Sequence, residues 1–209
     1  MTAAKMKIPT RKEADSFLTE AGRRNPGPWV QHSIHVAEAA RIIASHHPSL
    51  DPEAAFLLGY LHDIGRREGV TAIRHLVDGY RFLHEKGFED AARICITHSF
   101  PIADIRPDAW YWDCSPEDGS FLMEYFKGIE FTEYDRLIQL CDSLALPSGF
   151  CVLEKRLVDV ALRYGTDETT VPRWKAYFAI LEDLNKTIGQ PIYQLLPGLV
   201  ENTLGINPC

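Results

Sequence analysis

An adjacent histidine and aspartate, His62 and Asp63, place an imidazole and a carboxylate at the end of a predicted helix. They follow the apolar run FLLGYL and precede Ile64-Gly65, where we expect that helix to stop. Neighbouring side chains on a helix point about 100° apart, but at the last turn both can converge on one ion beyond the helix end. The partial negative charge of a helix C-terminus favours a cation there. The doublet therefore predicts metal ligands, with a surface His-Asp pair as the alternative.

A second histidine and a second aspartate extend this chemistry. His32, in HSIHVAEAA, lies on or beside the apolar stripe of a predicted helix; it is a candidate ligand or a hydrogen-bonded core residue, and His35 could replace it. Asp142 lies within the apolar run LIQLCDSLAL. An ionised carboxylate there costs several kcal/mol unless a cation or a set of donors compensates it. Metal ligation would compensate the charge, and so would pairing with Arg136 or another base.

Two further histidines are candidates of the same kind. His75, in AIRHLVDGY, is followed one helical turn later by Gly79, which would leave space beside the imidazole. His98 ends the apolar run ICIT just before a loop that begins at Pro101. The chain has eight histidines, so chance placement is the alternative for both.

The elements that must position these residues are predicted to be helices. Almost every patterned segment has three- and four-residue spacing of apolar positions, and no pair of β-branched runs is joined by an Asn-Gly or Asp-Gly turn. Capping signals support the boundaries, with Thr10 and Glu13 in capping-box spacing and Asp51 before Pro52. We predict an all-α fold with helices over about 10–24, 29–47, 51–65, 71–86, 89–98, 131–146, 151–164, 171–188 and 191–204.

The segment from Pro101 to Gly119 is predicted to be a long loop, because prolines, aspartates and an aromatic cluster replace the helical pattern. Long loops in compact domains are often functional lids. The cluster Trp110, Tyr111 and Trp112 could cover a site or stack on a base, and the alternative is that it packs the loop down.

The composition is that of a soluble globular protein: 209 residues, 45% hydrophobic and 24% charged. We expect one domain over residues 1–209, with a core over about 29–146 and a C-terminal helical extension over 151–209. The formal net charge of −7 argues against a nucleic-acid polymer as partner. Five cysteines without a CxxC pair predict reduced thiols, and the absence of a signal peptide or a membrane-spanning run predicts a cytoplasmic protein without a membrane partner. The oligomeric state is left open.

The order of these residues resembles the HD superfamily, named for its His-Asp doublet. HSIHVA is similar to the family's H-S/T-x-x-V-A opening, and GYLHDIGR and LCDSLA are similar to its doublet and its late aspartate. The resemblance covers about Trp29 to Leu146. It implies the family's helical bundle, here with additional C-terminal helices, and it implies four metal ligands: His32, His62, Asp63 and Asp142.

The resemblance extends to His75 and His98, which match the extra histidines of family members that carry two metals. Six ligands exceed what one ion needs if positions must stay open for water and substrate, so two divalent ions are expected, with Asp63 bridging them. Fe, Mn, Ni, Co, Zn and Mg are not distinguished by these ligands.

Hydrolysis of a small phosphoester, such as a nucleotide, by a metal-activated water is the activity that the resemblance implies. Asp63 and Arg66 would be the catalytic residues, with Arg66 holding the substrate phosphate or, alternatively, being a surface arginine. Two other functions remain open: a diiron oxygenase, as in relatives of the myo-inositol oxygenase type, and a non-catalytic module that binds a metal or a nucleotide. A cyclic-dinucleotide phosphodiesterase is disfavoured, because SFPIAD replaces that branch's Gly-Tyr-Pro motif after His98.

Overall fold

A computed structural model describes residues 6–106 and 112–206. The fold is all-α, as predicted. The helices are α1 Arg11–Arg24, α2 Trp29–Ala44, α3 Pro52–Leu61, α4 Arg74–His84, α5 Glu89–Thr97, α6 Pro116–Phe126, α7 Glu133–Ser143, α8 Leu153–Tyr164, α9 Thr170–Ile188, α10 Ile192–Leu195 and α11 Leu199–Leu204. A 3₁₀ helix spans Ile64–Glu68, and β1 Ala145–Leu146 pairs with β2 Gly149–Phe150 in a two-residue antiparallel hairpin.

Helices α2 and α3 form the most extensive helix pair of the bundle. Their backbones approach closely, because a β-carbon on Gly59 would lie 3.0 Å from the Cα of Ala37. Further along the pair, the rings of His32 and His62 lie 5.3 Å apart between centroids. The small residues at the crossing thus bring the beginning of α2 and the end of α3 to one place.

The 3₁₀ helix packs against α4 backbone to backbone. A β-carbon on Gly79 would lie 3.1 Å from the Gly65 nitrogen and 3.0 Å from the Sγ of Cys95. Gly79 therefore makes room for Gly65 and for α5, rather than for the imidazole of His75 as its position in the sequence suggested. This close approach joins the doublet segment to α4 and α5.

Two buried apolar clusters hold the helices together. The larger one includes α2 and α3 and reaches the C-terminal helices through Leu153, Leu181 and Leu184, so the extension packs on the same core as the bundle. The smaller one lies between α4, α5 and α6 and includes Leu76 and Leu122.

Helix boundaries follow local signals where such signals exist. The Thr10 capping box and the Asp51 N-cap are both present, as predicted. The prediction of a loop up to Gly119 was wrong, because Ser115 caps α6 with Pro116 in its first turn. The single helix predicted over 191–204 is divided into α10 and α11, with Gly198 at φ +67° between them.

Within the described residues, none of the helices combines the length and the apolar character that crossing a lipid bilayer requires. Four cysteines, Cys95, Cys114, Cys141 and Cys151, are free thiols, and Cys209 lies outside the described residues.

Candidate metal centre

Five helix ends meet at one place in the bundle. His62 and His98 are the C-cap residues of α3 and α5, and Asp142 is the next-to-last residue of α7. His32 lies in the first turn of α2, and His75 is the second residue of α4. Three of these ends are helix C-termini, whose partial negative charge favours a cation, and two are N-termini, whose partial positive charge opposes it, so the C-termini predominate.

Asp63 reaches the same point because helix α3 ends before it. Helix α3 ends at Leu61 rather than at Gly65 as predicted, and Asp63 has a non-helical backbone with φ −104° and ψ 14° before the 3₁₀ helix begins. The side chains of His62 and Asp63 consequently escape the 100° divergence of helical neighbours, and His62 Nε2 lies 3.8 Å from Asp63 Oδ2.

The first group of possible ligands consists of His32, His62 and Asp63, each with a ligand atom within 4.8 Å of the others. Asp142 completes it, because its Oδ1 lies 2.9 Å from His32 Nε2 and 3.8 Å from His62 Nε2. A divalent ion among these atoms would replace the proton that His32 and Asp142 share, as metal binding does when ligands must be deprotonated.

The second group consists of Asp63, His75 and His98, again with ligand atoms within 4.8 Å of one another. Asp63 Oδ1 lies 3.1 Å from His75 Nε2 and 3.6 Å from His98 Nε2. Asp63 therefore belongs to both groups, with Oδ2 nearer to one of them and Oδ1 nearer to the other. A carboxylate in this position can bridge two ions.

Backbone hydrogen bonds fix the orientation of two of the imidazoles. His62 Nδ1 donates to the carbonyl of Gly59 at 2.7 Å, and His98 Nδ1 donates to the carbonyl of Ile94 at 3.1 Å. Each bond leaves Nε2 unprotonated and directed to the site. Such partners set the tautomer and ring orientation of metal-ligating histidines.

The pKa shifts of five candidate ligands favour the protonation states that bind a metal. Burial lowers the pKa of His62 and of His75, and it lowers the pKa of His98 to about 4. Burial is the largest single effect and by itself raises the pKa of Asp63, but Arg66, His62 and His75 together outweigh it and hold the pKa well below its usual range. Burial likewise raises the pKa of Asp142, but the hydrogen bond and charge of His32, together with the charges of Arg156 and His62, outweigh it and lower the pKa. Neutral imidazoles and ionised carboxylates are the ligand forms.

The hydrogen bonding of two polar atoms at the centre of the cluster shows whether the residues fit a metal. His62 Nε2 is buried and has no hydrogen-bond partner in the described part of the chain; Asp63 Oδ1 is also buried, and His75 Nε2 lies 3.1 Å from it without a well-aligned hydrogen bond. Buried polar atoms are normally satisfied, and leaving one unpaired costs about 1–3 kcal/mol. Because the unpaired atoms belong to the shared carboxylate and to its neighbouring imidazole, the residues fit a divalent cation.

Arg66 extends from the 3₁₀ helix to the shared carboxylate. Its Nε donates to Asp63 Oδ2 at 2.5 Å, its Nη1 donates to the carbonyl of Thr71 at 3.3 Å, and its Nη2 lies 3.4 Å from His75 Nε2. The side chain is 28% exposed and lines a cavity. Arg66 thus contacts the cluster of candidate ligands directly and is not the surface arginine of the alternative interpretation.

The cavity above the cluster has a volume of about 900 Å³, within the range of about 300–1,000 Å³ typical of small-molecule sites. One wall comes from the extension, where Arg156, Trp174 and Tyr177 lie on α8 and α9. The sequence did not predict that these residues line the cavity. No motif marks them, since each is one position on an amphipathic helix whose partner lies far away in the chain.

Asp113 was also missed. Its carboxylate accepts hydrogen bonds from the backbone nitrogens of Ala72, Ile73 and Arg74 at 2.7–2.8 Å, so it caps the first turn of α4, which carries His75. The neighbouring Trp112 packs against Gly119, where a β-carbon would lie 3.2 Å from its ring. Trp112 therefore packs the loop down, and Trp110 and Tyr111 lie outside the described residues.

All six predicted ligands meet in this cluster: His32, His62, Asp63, His75, His98 and Asp142. His35 does not join them, because its Nδ1 lies 3.0 Å from the carbonyl oxygen of Leu146. Arg136 does not pair with Asp142 either, since it donates to the carbonyl of Pro101 and to Gln139.

Comparison with known proteins agrees with the geometry. Neither the curated proteins nor the solved structures give a match to the chain. The family model described as "HD domain" matches residues 29–146, which is more than half of the chain and includes all six clustered residues. The chain therefore belongs to the HD domain family.

Proposed function

We propose that this protein is a metal-dependent phosphohydrolase with a binuclear centre, acting on a small phosphoester such as a nucleotide. The observation that carries the proposal is the position of Asp63, whose two carboxylate oxygens belong to two ligand groups. Most members of the HD domain family are metal-dependent phosphohydrolases, which supports the reaction class.

His32, His62, Asp63 and Asp142 would hold one divalent ion, and Asp63, His75 and His98 would hold the other. Bound divalent ions lower the pKa of a coordinated water and so supply a nucleophile at neutral pH. Asp63 stays ionised between the two groups because Arg66 stabilises its charge. The Nη atoms of Arg66 would place positive charge beside a phosphate in the cavity, where a guanidinium can donate to two phosphate oxygens.

The substrate that fits this arrangement is a small phosphorylated molecule rather than a nucleic-acid polymer. The cavity accommodates a molecule of nucleotide size, and the net charge of −7 opposes the sequence-independent binding of a phosphate backbone. Trp174, on the wall from the extension, offers an aromatic surface for the organic part of the substrate.

Phosphate release is the direct test. Protein stripped of metal and reloaded with Mn, Fe, Co, Ni, Zn or Mg in turn should hydrolyse members of a broad panel of phosphoesters. His62→Ala should reduce the rate at least about 100-fold, because loss of a ligand disrupts the centre. The matched control is His46→Ala, which removes an exposed histidine outside the cluster and should leave the rate unchanged. Absence of turnover with every metal, together with no effect of His62→Ala, would refute the proposal.

The same ligands suit iron, so the test includes oxygen chemistry. Oxygen uptake by the iron-loaded protein without phosphate release would identify the oxygenase alternative. Metal-independent nucleotide binding without turnover would identify a non-catalytic module.

A further inference from the structure

Arg156 lies beside the candidate metal centre although it belongs to α8, outside the residues that match the family. Its Nη2 is 3.8 Å from Asp142 Oδ1, and its side chain is 16% exposed. It lines the same cavity as His32, Asp63 and Arg66. The guanidinium is therefore at the Asp142 side of the cluster, as Arg66 is at the Asp63 side.

The donors of Arg156 are largely uncommitted. Within the described residues it makes one hydrogen bond, from Nη1 to Asp159 Oδ2 at 3.3 Å, and the distance to Asp142 is longer than a hydrogen bond. Asp159 also accepts from Arg163 at 2.9 Å, so it is itself held in place. A guanidinium carries five N–H donors, and in Arg156 the edge formed by Nε and Nη2 has no hydrogen bond to the described chain. Arg66, by contrast, already has one partner on each of its three nitrogens, Asp63, Thr71 and His75, so only the second N–H of each Nη is left for a phosphate.

The charge of the cavity indicates which kind of ligand the free edge of the Arg156 guanidinium would bind. Four aspartates and four arginines of the described chain line the cavity, so their formal charges cancel. Each divalent ion would add two positive charges, which leaves a loaded cavity strongly cationic. A phosphomonoester dianion complements that charge better than the monoanion of a phosphodiester does.

We propose that Arg156 is a second phosphate-binding residue, which donates to the non-reacting oxygens of a terminal phosphate and favours phosphomonoesters over phosphodiesters. The inference rests on the proposed function, and it gives the extension a role in substrate selection. The alternative is that Arg156 only pairs with Asp159 and stabilises α8.

Binding of inorganic phosphate separates these roles, because it requires no turnover. Phosphate affinity of the metal-loaded protein is measured by titration calorimetry for the wild type, Arg156→Met, Arg156→Lys and Lys155→Met. Lys155 is the matched control, because it is the exposed neighbour of Arg156 on α8 and does not line the cavity. Metal content and Tm of each variant report whether the fold and the centre are intact.

Arg156→Met should weaken phosphate binding about 10- to 100-fold with unchanged metal content, as expected for loss of charge-assisted hydrogen bonds. Arg156→Lys should give an intermediate affinity, and Lys155→Met should match the wild type. With a phosphomonoester as substrate, Arg156→Met should raise KM, and it should reduce the preference for monoester over diester.

Equal phosphate affinity in the wild type and Arg156→Met would overturn the inference and leave the proposed function standing. A wild-type protein that hydrolyses no phosphoester yet binds phosphate through Arg156 would refute the proposed function alone. If the loaded wild type binds no phosphate, the inference is overturned.

Discussion

A β-carbon on Gly65 would lie 1.9 Å from the carbonyl oxygen of His75. The contact joins the segment that carries the His-Asp doublet to the first turn of α4. It explains how Asp63 and His75 come within 3.1 Å although twelve positions separate them along the chain. The glycine two residues after the doublet is therefore part of the geometry of the second ligand group.

Gly65→Ala should displace α4 and weaken the second ligand group selectively. The added methyl meets backbone that cannot rotate away, so we expect the free energy of unfolding to fall by about 3 kcal/mol or more. Chemical denaturation measures the loss, and elemental analysis measures the metal retained. Gly22→Ala is the control, because its β-carbon would meet only the Val30 side chain, at 3.1 Å. A Gly65→Ala protein with wild-type stability and metal content would contradict the packing argument.

Metal stoichiometry should follow the two ligand groups. His75→Ala should leave one ion per chain, because the group of His32, His62, Asp63 and Asp142 is intact, whereas Asp63→Ala should lose both ions. Elemental analysis of protein dialysed against a fixed concentration of free metal gives the numbers. His35→Ala serves as control, since its imidazole bonds to Leu146 away from the cluster. Two ions in His75→Ala would show that His75 is not a ligand.

Asp113→Ala should affect the metal centre from a distance. It removes a carboxylate that caps α4, so we expect a loss of about 1–2 kcal/mol in the free energy of unfolding and roughly 10-fold weaker metal binding by the second group. Asp51→Ala is a matched control, because it removes the N-cap of α3 at the end opposite His62. Both variants should lose stability, and only Asp113→Ala should lose metal affinity. Equal metal affinity in the two variants would show that Asp113 does not position His75.

The metal-free protein should lose stability as the pH falls from 6.5 to 4. The pKa of His98 is about 4 in the folded protein and about 6.5 when the chain is unfolded, so the unfolded chain binds more protons over this interval. His98 alone contributes a loss of up to about 3 kcal/mol, fully expressed below pH 4. Urea unfolding across the interval measures the slope. His98→Gln should reduce the dependence of the free energy of unfolding on pH, whereas His46→Gln, which changes an exposed histidine, should leave it unchanged. An unchanged pH dependence in His98→Gln would contradict the lowered pKa of His98.

The first ligand group could be predicted from the sequence because each member carries a local signal. His62 and Asp63 end a short apolar helix, and Asp142 is a carboxylate inside an apolar run. The positions of His75 and His98 depended on the resemblance to the HD superfamily. Their own surroundings only marked them as histidines on apolar helices.

The rest of the site depends on contacts that sequence periodicity does not contain. Asp113 caps a helix that begins 39 residues earlier, and Arg156 meets Asp142 across the bundle. Helix α6 was not predicted, because the prolines and aspartates around Ser115 are typical of a loop, although Ser115 and Pro116 are favourable cap and first-turn residues. The role of Gly65 could not be predicted from the sequence, because it depends on where α4 packs in the fold.

The origin of the oxygen in the product tests the central claim most directly. Once a substrate from the phosphoester panel is in hand, the metal-loaded protein is incubated with it in ¹⁸O-labelled water without dioxygen, and the products are analysed by mass spectrometry. If water attacks phosphorus, each released phosphate carries one solvent oxygen and the reaction runs at its full rate without dioxygen. A product that forms only with dioxygen would contradict hydrolysis at the centre built around His62 and Asp63. A label found on the released alcohol rather than on phosphorus would contradict attack of water on phosphorus.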